Sequence, residues 1–308
     1  MGAGHHHGHG HEGHSHAPAD FGRAFLIGTV LNLGFVIVEA GYGIAANSMA
    51  LLADAGHNLS DVLGLLVAWG AARLTQRAPS ERFTYGLRKS SVLAALFNAL
   101  FLLVALGAIA FEAVRRFSDP HPIEGGTVMA VAGIGILING ITAWMFARGR
   151  HGDINIRGAY LHMAADAAVS AGVVVAGLVI LKTGWLWVDP IVSLAIVGII
   201  FVGTWSLLRD SVSMSLDAVP PGIDLARVEA CVAALPGVKH VHDLHVWPMS
   251  TTEIALTCHL VIPGERPDDG FLREAARMLK QHFGIDHSTI QIETAPHDEC
   301  RQSPPEVV

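Results

Sequence analysis

The stretch LLADAGHNLSD, residues 51–61, lies within one of the most apolar parts of the chain, yet it contains Asp54, His57, Asn58 and Asp61. An aspartate at the centre of a bilayer costs about 2.5–3.5 kcal/mol on insertion scales, so ionisable residues inside a membrane span usually have a function. On a helix, Asp54, His57 and Asp61 are at positions i, i+3 and i+7 and share one face. The stretch therefore predicts a functional site on one face of a membrane helix.

The composition is that of a membrane protein with a soluble part. The chain has 308 residues, of which 51% are hydrophobic and 15% are charged, and its mean hydropathy is +0.45. It has three cysteines, none in a CxxC pair, which argues against a disulfide scaffold. The net charge of -7 and the lack of a phosphate-binding P-loop argue against nucleic-acid and nucleotide partners.

The apolar segments predict the membrane topology. Crossing the hydrocarbon core takes roughly 20 helical residues. Segments that meet this length predict six transmembrane helices, at 23–45, 48–74, 88–112, 125–147, 157–181 and 188–208. Arg and Lys are concentrated in the loops after the second and fourth spans. The positive-inside rule therefore predicts that both termini are cytosolic.

From about residue 212 the composition changes to that of a small cytosolic domain. Two segments with helical periodicity alternate with three strand-like segments: DLARVEACVAAL, VKHVHDLHVW, TEIALTCHLVI, DGFLREAARMLKQHF and HSTIQIE. Their order predicts an α+β fold of the form α-β-β-α-β. We therefore expect a His-rich tail, a transmembrane domain, a cytosolic domain and a flexible C-terminal tail, at 1–22, 23–210, 211–296 and 297–308.

The fifth predicted span carries a second polar pattern, GAYLHMAADAAVSAG. His162 and Asp166 are four residues apart, as His57 and Asp61 are in the second span, so both spans present HxxxD on one helix face. The two spans run in opposite directions, and the small residues around each pattern permit close approach. Two imidazoles and two carboxylates suit tetrahedral Zn²⁺. One such pattern alone would leave hydrogen bonding between helices as an equal alternative.

Taken together, these features resemble the cation diffusion facilitator family, the proton-coupled zinc exporters. The resemblance rests on six spans and four motifs: SMALLADAGHNLSD, FTYGLRKSSVLAALFN, the second HxxxD and VHDLHVW. It is closest to the His-rich branch, which includes bacterial cobalt-zinc-cadmium resistance proteins and vertebrate zinc transporters. It implies a homodimer in the bacterial inner membrane that exchanges Zn²⁺ for H⁺ by alternating access.

The resemblance also assigns roles to residues of the membrane domain. It implies that the transport site consists of His57, Asp61, His162 and Asp166. Asp54 lies on the same helix face, and we expect it to orient His57 or to relay protons. Histidine rather than aspartate at the first position is associated in the family with selectivity for zinc over cadmium.

For the cytosolic domain, the resemblance implies a metallochaperone-like fold with a structural or regulatory zinc site. Its ligands would be His242, His259 and Glu293 at a dimer interface, with a fourth ligand from the partner's N-terminal tail. Cys300 is a candidate ligand of a further site with tail histidines. Strand alternation predicts that His242 and His245 lie on opposite faces, and we expect His245 to pack near Trp247 or the membrane-proximal surface.

Three questions remain open at this point. The Gly/His-rich segment MGAGHHHGHGHEGHSH is either a native metal-collecting tail or a cloning tag. The chain is either a transporter or a membrane metal sensor that transports nothing. An intramembrane zinc hydrolase is a third alternative, although the chain has no HExxH motif.

Overall fold

The computed structural model describes residues 23–75, 77–147, 154–264 and 267–294. The expectations for the N-terminal tail, for the C-terminal tail and for Cys300 fall outside these residues.

Six long helices come first along the described chain: α1 (Arg23–Ala45), α2 (Met49–Thr75), α3 (Ser90–Ser118), α4 (Gly125–Ala147), α5 (Ile154–Thr183) and α6 (Val188–Ser215). Among the residues that the structure describes, four helical segments are long and apolar enough to cross a membrane: Ser90–Ser118, Gly125–Trp144, Met163–Thr183 and Val188–Ser215. The described side chains of α1 form an apolar helical stretch at Val30–Ala45, and α2 carries the polar residues of 54–61. The protein therefore has a helical membrane part, while the number of six spans stays a prediction.

The chain divides into two compact units. The first comprises Met1–Leu65 and Leu106–Gly198, and the second comprises Leu66–Ala105 and Ile199–Val308. Within the described residues, α1, α4 and α5 therefore belong wholly to the first unit, whereas α2, α3 and α6 each contribute to both.

In the first unit, an aspartate of α6 fixes the start of α2. The Asp189 carboxylate accepts hydrogen bonds from the Ser48 hydroxyl, from the Met49 amide at 2.6 Å and from the Ala50 amide at 3.2 Å. The first amides of a helix have no partner within the helix, so a carboxylate at this position stabilises the helix. This contact anchors α2 two turns before His57.

The second unit contains a small α+β domain. Its elements are α7 (Leu225–Ala233), β1 (His240–Pro248), β2 (Ile254–Val261), α8 (Asp269–Phe283) and β3 (Ile285–Glu293), so the predicted α-β-β-α-β order is confirmed. The sheet has the order β1-β2-β3, with β2 antiparallel to β1 and parallel to β3. The turn from α8 into β3 needs a left-handed residue, and Gly284 supplies it at φ 69°.

Both helices of this domain cover one face of the sheet. Val228 and Val232 of α7 and Leu279 of α8 are fully buried in a core with Leu256 and Leu260 of β2. Successive side chains of a strand point to opposite faces. His259 directly precedes Leu260 on β2. It therefore lies on the opposite face of the sheet, which the two helices leave uncovered.

A bulge in β1 overturns the prediction that His242 and His245 lie on opposite faces. His242 pairs with His259 and His245 pairs with Thr257, so three steps along β1 match two steps along β2. Asp243 absorbs the extra residue in a left-handed conformation at φ 50°, which Asp tolerates better than most residues. Because cross-strand partners share a face, His242 and His245 lie on the same one.

Candidate metal-binding sites

The polar residues of α2 and α5 form one cluster in the first unit. His57 Nε2 lies 3.1 Å from Asp166 Oδ1 and 4.0 Å from Asp61 Oδ2. One ligand atom from each of the three residues lies within 4.8 Å of the other two. Asp166 is buried, whereas His57 and Asp61 are partly accessible. An imidazole and two carboxylates in this arrangement have the donor set and the access that a divalent cation needs.

The fourth predicted residue of this site, His162, lies on α5 one turn before Asp166. Its side chain is outside the described residues, so the structure brings together three of the four.

Asp54 is placed differently from the other polar residues of α2. It is fully buried, and its Oδ2 accepts a hydrogen bond of 2.8 Å from the Ser170 hydroxyl of α5. It is not among the described residues whose ligand atoms cluster around His57. Whether it orients His57 or relays protons therefore stays a prediction.

The second cluster lies on the uncovered face of the cytosolic sheet, in the second unit. His242 Nε2 is 3.0 Å from Glu293 Oε2, and His259 Nδ1 is 3.0 Å from Glu293 Oε1. The strand register explains this geometry, because His242 pairs with His259 and Val261, two residues further along β2, pairs with Glu293. All three side chains are largely buried, and one ligand atom from each lies within 4.8 Å of the others. Two imidazoles and a carboxylate fit the chemistry of a zinc site.

Asp243 is a member of this cluster that the sequence analysis missed. Its Oδ2 lies 3.4 Å from His259 Nε2, the nitrogen on the opposite side of the ring from Glu293. Histidines that bind a metal commonly donate their other ring N–H to a carboxylate, which fixes the ring orientation. The aspartate between two histidines in VHDLHVW could have indicated this role, but the bulge that turns it towards His259 is not visible in the strand pattern.

His245 lies beside this cluster rather than within it. Its Nε2 contacts Asp243 Oδ1 at 2.9 Å, and it lines a shallow surface depression together with Trp247. Of the two places expected for His245, the structure therefore shows the one beside Trp247, and the contact with Asp243 is additional.

Cys258 is a buried residue of β2, and its thiol differs from the candidate ligands in its chemistry. Burial, together with the nearby charge of Asp243, raises the pKa of its thiol to about 12. Zinc binds the thiolate, so this thiol is a poor ligand at neutral pH.

Sequence profiles of two domains match nearly the whole described chain. Residues 25–214 match the cation efflux transmembrane domain, and residues 220–295 match the cytoplasmic domain of cation efflux proteins.

Individual relatives are similar over almost their full length. The metal cation efflux system protein CzcD of Cupriavidus metallidurans is 37% identical over 304 residues, which cover 98% of this chain and 93% of the relative. The zinc transporter ZitB of Escherichia coli is 36% identical over 285 residues, covering 92% and 91%. The cadmium, cobalt and zinc/H(+)-K(+) antiporter of Bacillus subtilis is 33% identical over 290 residues, covering 92% and 93%.

One solved structure, the metal-bound C-terminal domain of the CzcD transporter, is 43% identical and covers 23% of this chain and 99% of that domain, with a TM-score of 0.22. The relatives are efflux transporters and not enzymes, which removes the hydrolase alternative. The resemblance noted in the sequence is thus confirmed: the chain is an integral membrane protein that belongs to the cation efflux family, the cation diffusion facilitators.

Proposed function

We propose that this protein exports Zn²⁺ from the cytosol in exchange for protons. The transport site would consist of His57, Asp61, His162 and Asp166. The observation that carries this proposal is the cluster of His57, Asp61 and Asp166 on two helices of the membrane domain. Two carboxylates inside a membrane domain are costly unless a cation or a proton compensates them.

Three considerations favour zinc and proton exchange. The donor set of imidazole and carboxylate suits Zn²⁺. A relative of 36% identity is named a zinc transporter, and another is named an antiporter that exchanges cadmium, cobalt and zinc for protons and potassium. A coordinated imidazole must be neutral, so zinc that binds to a protonated His57 displaces a proton. An imidazole has an unperturbed pKa of about 6.5, which suits reprotonation at a more acidic outer face.

The proposed architecture follows from the same family. We propose a homodimer with six spans per chain, alternating between inward-open and outward-open states in a bacterial inner membrane. Both termini would be cytosolic, with domain limits at 23–210 and 211–296. The tail 1–22 would collect zinc, because a flexible tail raises the local metal concentration without building the membrane site.

The cytosolic cluster is proposed as a structural or regulatory zinc site. His242, His259 and Glu293 would be the ligands, and Asp243 would hold the ring of His259. Three protein ligands leave one position of a tetrahedral ion, for which a histidine of the partner's tail is the candidate. Cys300 would belong to a further site with tail histidines.

Proteoliposomes test transport directly. Purified protein is reconstituted with a pH gradient, and zinc flux and proton flux are recorded with dyes on the two sides. Zinc uptake that requires the gradient and moves protons in the opposite direction is expected. Zinc binding without any flux would contradict export and would support the metal-sensor alternative.

A further inference from the structure

Two carboxyl groups meet inside the first unit, next to the candidate transport site. Glu39 of α1 and Asp54 of α2 are both fully buried. The Asn58 side-chain amide donates a 2.9 Å hydrogen bond to Glu39 Oε2, and the Ser170 hydroxyl donates one of 2.8 Å to Asp54 Oδ2. One oxygen of each carboxyl group is therefore occupied by a neutral donor.

The second oxygen of each carboxyl group indicates that the pair needs a proton. Glu39 Oε1 and Asp54 Oδ1 are buried and accept no hydrogen bond from any donor of the described residues. The two side chains are nevertheless within hydrogen-bonding reach of each other. An ionised carboxylate has no hydrogen to donate, so the two groups can bond only if one of them carries a proton. Without that proton, two like charges would face each other in a buried site.

We infer that Glu39 is a proton-binding site of the exporter, where it holds a proton that it shares with Asp54. The inference rests on the proposed function, since it assigns a place to part of the exchanged proton. It adds a group on α1 to a machinery that sequence motifs place on α2 and α5.

The surroundings of the pair provide a route for coupling. Along α2, Asp54 is three residues before His57, and His57 and Asp166 both act electrostatically on it. The helix packed against α1, α4, has no ionisable residue and presents the buried amide of Asn139 to the protein interior. Among the described residues, the charge that acts on Glu39 is therefore that of Asp54 on α2, and His57 and Asp166 reach Glu39 through their effect on Asp54.

Zinc and the shared proton should exclude one another. A divalent cation at His57, Asp61 and Asp166 stabilises the ionised form of nearby Asp54. The charge of the cation offsets a second negative charge in the pair, so Glu39 ionises beside ionised Asp54 and the shared proton leaves to water. When the metal leaves, the pair takes up a proton again. Each zinc that binds thus releases a proton from this pair, in addition to any released by the imidazoles.

Calorimetry measures this release. Zinc is titrated into the full-length purified protein in buffers with different ionisation enthalpies, which yields the number of protons released per bound zinc. The Glu39→Gln variant keeps the shape and a hydrogen to donate, but it cannot ionise. We expect it to bind zinc and to release about one proton fewer than the natural protein. The matched control is Glu124→Gln, the same change at an exposed position, and it should release the natural number.

The outcomes separate the two proposals. Unchanged proton release in Glu39→Gln would overturn the inference and leave zinc export standing. Failure of the natural protein to bind or transport zinc would contradict the proposed function instead. If Glu39→Gln does not fold, infrared difference spectra of the natural protein decide. Zinc should remove the band of a protonated carboxyl group, and isotope-labelled glutamate should shift that band. A missing or unshifted band would overturn the inference.

Discussion

The two clusters use similar side chains on very different supports. In the membrane domain, His57 and Asp61 lie on one helix and Asp166 on another, and the first two are 19% and 28% exposed. In the cytosolic domain, His242, His259 and Glu293 lie on adjacent strands of one sheet. There, His242 and Glu293 are only 4% and 14% exposed.

This difference bears on what each site can do. Helices that meet through a few side chains can shift relative to one another, so a site between them can change its geometry and release its ion. A site on hydrogen-bonded strands keeps its geometry, because the register fixes the distances between its ligands. The membrane cluster therefore suits a transported ion, and the sheet cluster suits a resident one.

The largest expected effect comes from removing a ligand of the membrane cluster. His57→Ala and Asp61→Ala should each reduce zinc flux to the level of empty liposomes, because each change removes one of the four proposed ligands of the transport site. Flux in proteoliposomes under a pH gradient is the measurement.

The matched control is His121→Ala, the same substitution at an exposed position, which should transport normally. Both site variants should still insert and dimerise, as size-exclusion chromatography will show. Near-normal flux in either one would contradict the proposed transport site.

The second expected effect is confined to zinc binding by the sheet cluster. In a His57→Ala background, His259→Ala should lower the zinc affinity of the cytosolic site by more than about 100-fold, because changes to residues that only support a ligand already cost roughly 10–100-fold. Competition with a chromophoric chelator measures the affinity. In the otherwise natural protein, His259→Ala should reduce transport only in part, since the transported ion binds elsewhere.

If His259→Ala left the zinc affinity unchanged, His259 would not be a ligand of the cytosolic site. If His259→Ala in the otherwise natural protein abolished all transport, the transport site and the cytosolic zinc site would not be separate, contrary to the difference drawn between them.

Much of this arrangement could be predicted from sequence, for identifiable reasons. Hydrophobic length indicates helices, and the spacing of HxxxD indicates a shared face, because both depend only on local geometry. The order of elements in the cytosolic domain follows from its periodicity in the same way. For the same reason, the HxxxD spacing alone suffices to identify His57, Asp61 and Asp166 as candidate ligands.

Contacts that depend on irregular or tertiary geometry could not be predicted. The bulge at Asp243 reverses the face of His245 relative to simple alternation, and no rule of period two anticipates it. The pairing of Glu39 with Asp54 joins two helices at positions that no motif relates. The polar residues 54–61 also lower the hydropathy of α2, so hydropathy alone does not mark this helix as a membrane span.

A moderate effect is expected from Asp243→Asn. The substitution keeps the size of the side chain and removes the charge that faces His259 Nε2. Zinc affinity of the cytosolic site should fall by about 10–100-fold, as is usual when a carboxylate partner of a metal-binding histidine is lost. The same chelator competition measures it, again in the His57→Ala background.

Asp286→Asn is the matched control, because Asp286 pairs with Lys280 on the domain surface instead, and it should have no effect on zinc. If Asp243→Asn matched this control, Asp243 would merely stabilise the bulge.

The smallest expected effect concerns the thiol of Cys258 on β2. Cys258 is adjacent in sequence to His259, yet it faces the core with Leu256 and Leu260. Burial, with the charge of Asp243 as the second cause, raises the pKa of this thiol to about 12. Both causes disfavour the thiolate, so at pH 8 the thiol stays almost entirely protonated.

Cys258 should therefore neither bind zinc nor react with alkylating agents. Cys258→Ala should leave zinc affinity within about twofold of the natural value, because zinc needs the thiolate. The alkylation rate of an ordinary thiol rises steeply from about pH 7 to about pH 9, whereas that of Cys258 should stay low throughout and increase only on unfolding. Mass spectrometry after timed iodoacetamide treatment measures it, with half-buried Cys231 as the internal comparison. Rapid alkylation of Cys258 that zinc prevents would show that the thiol faces the metal. In that case the two faces of the sheet would not be separated as the strand register requires.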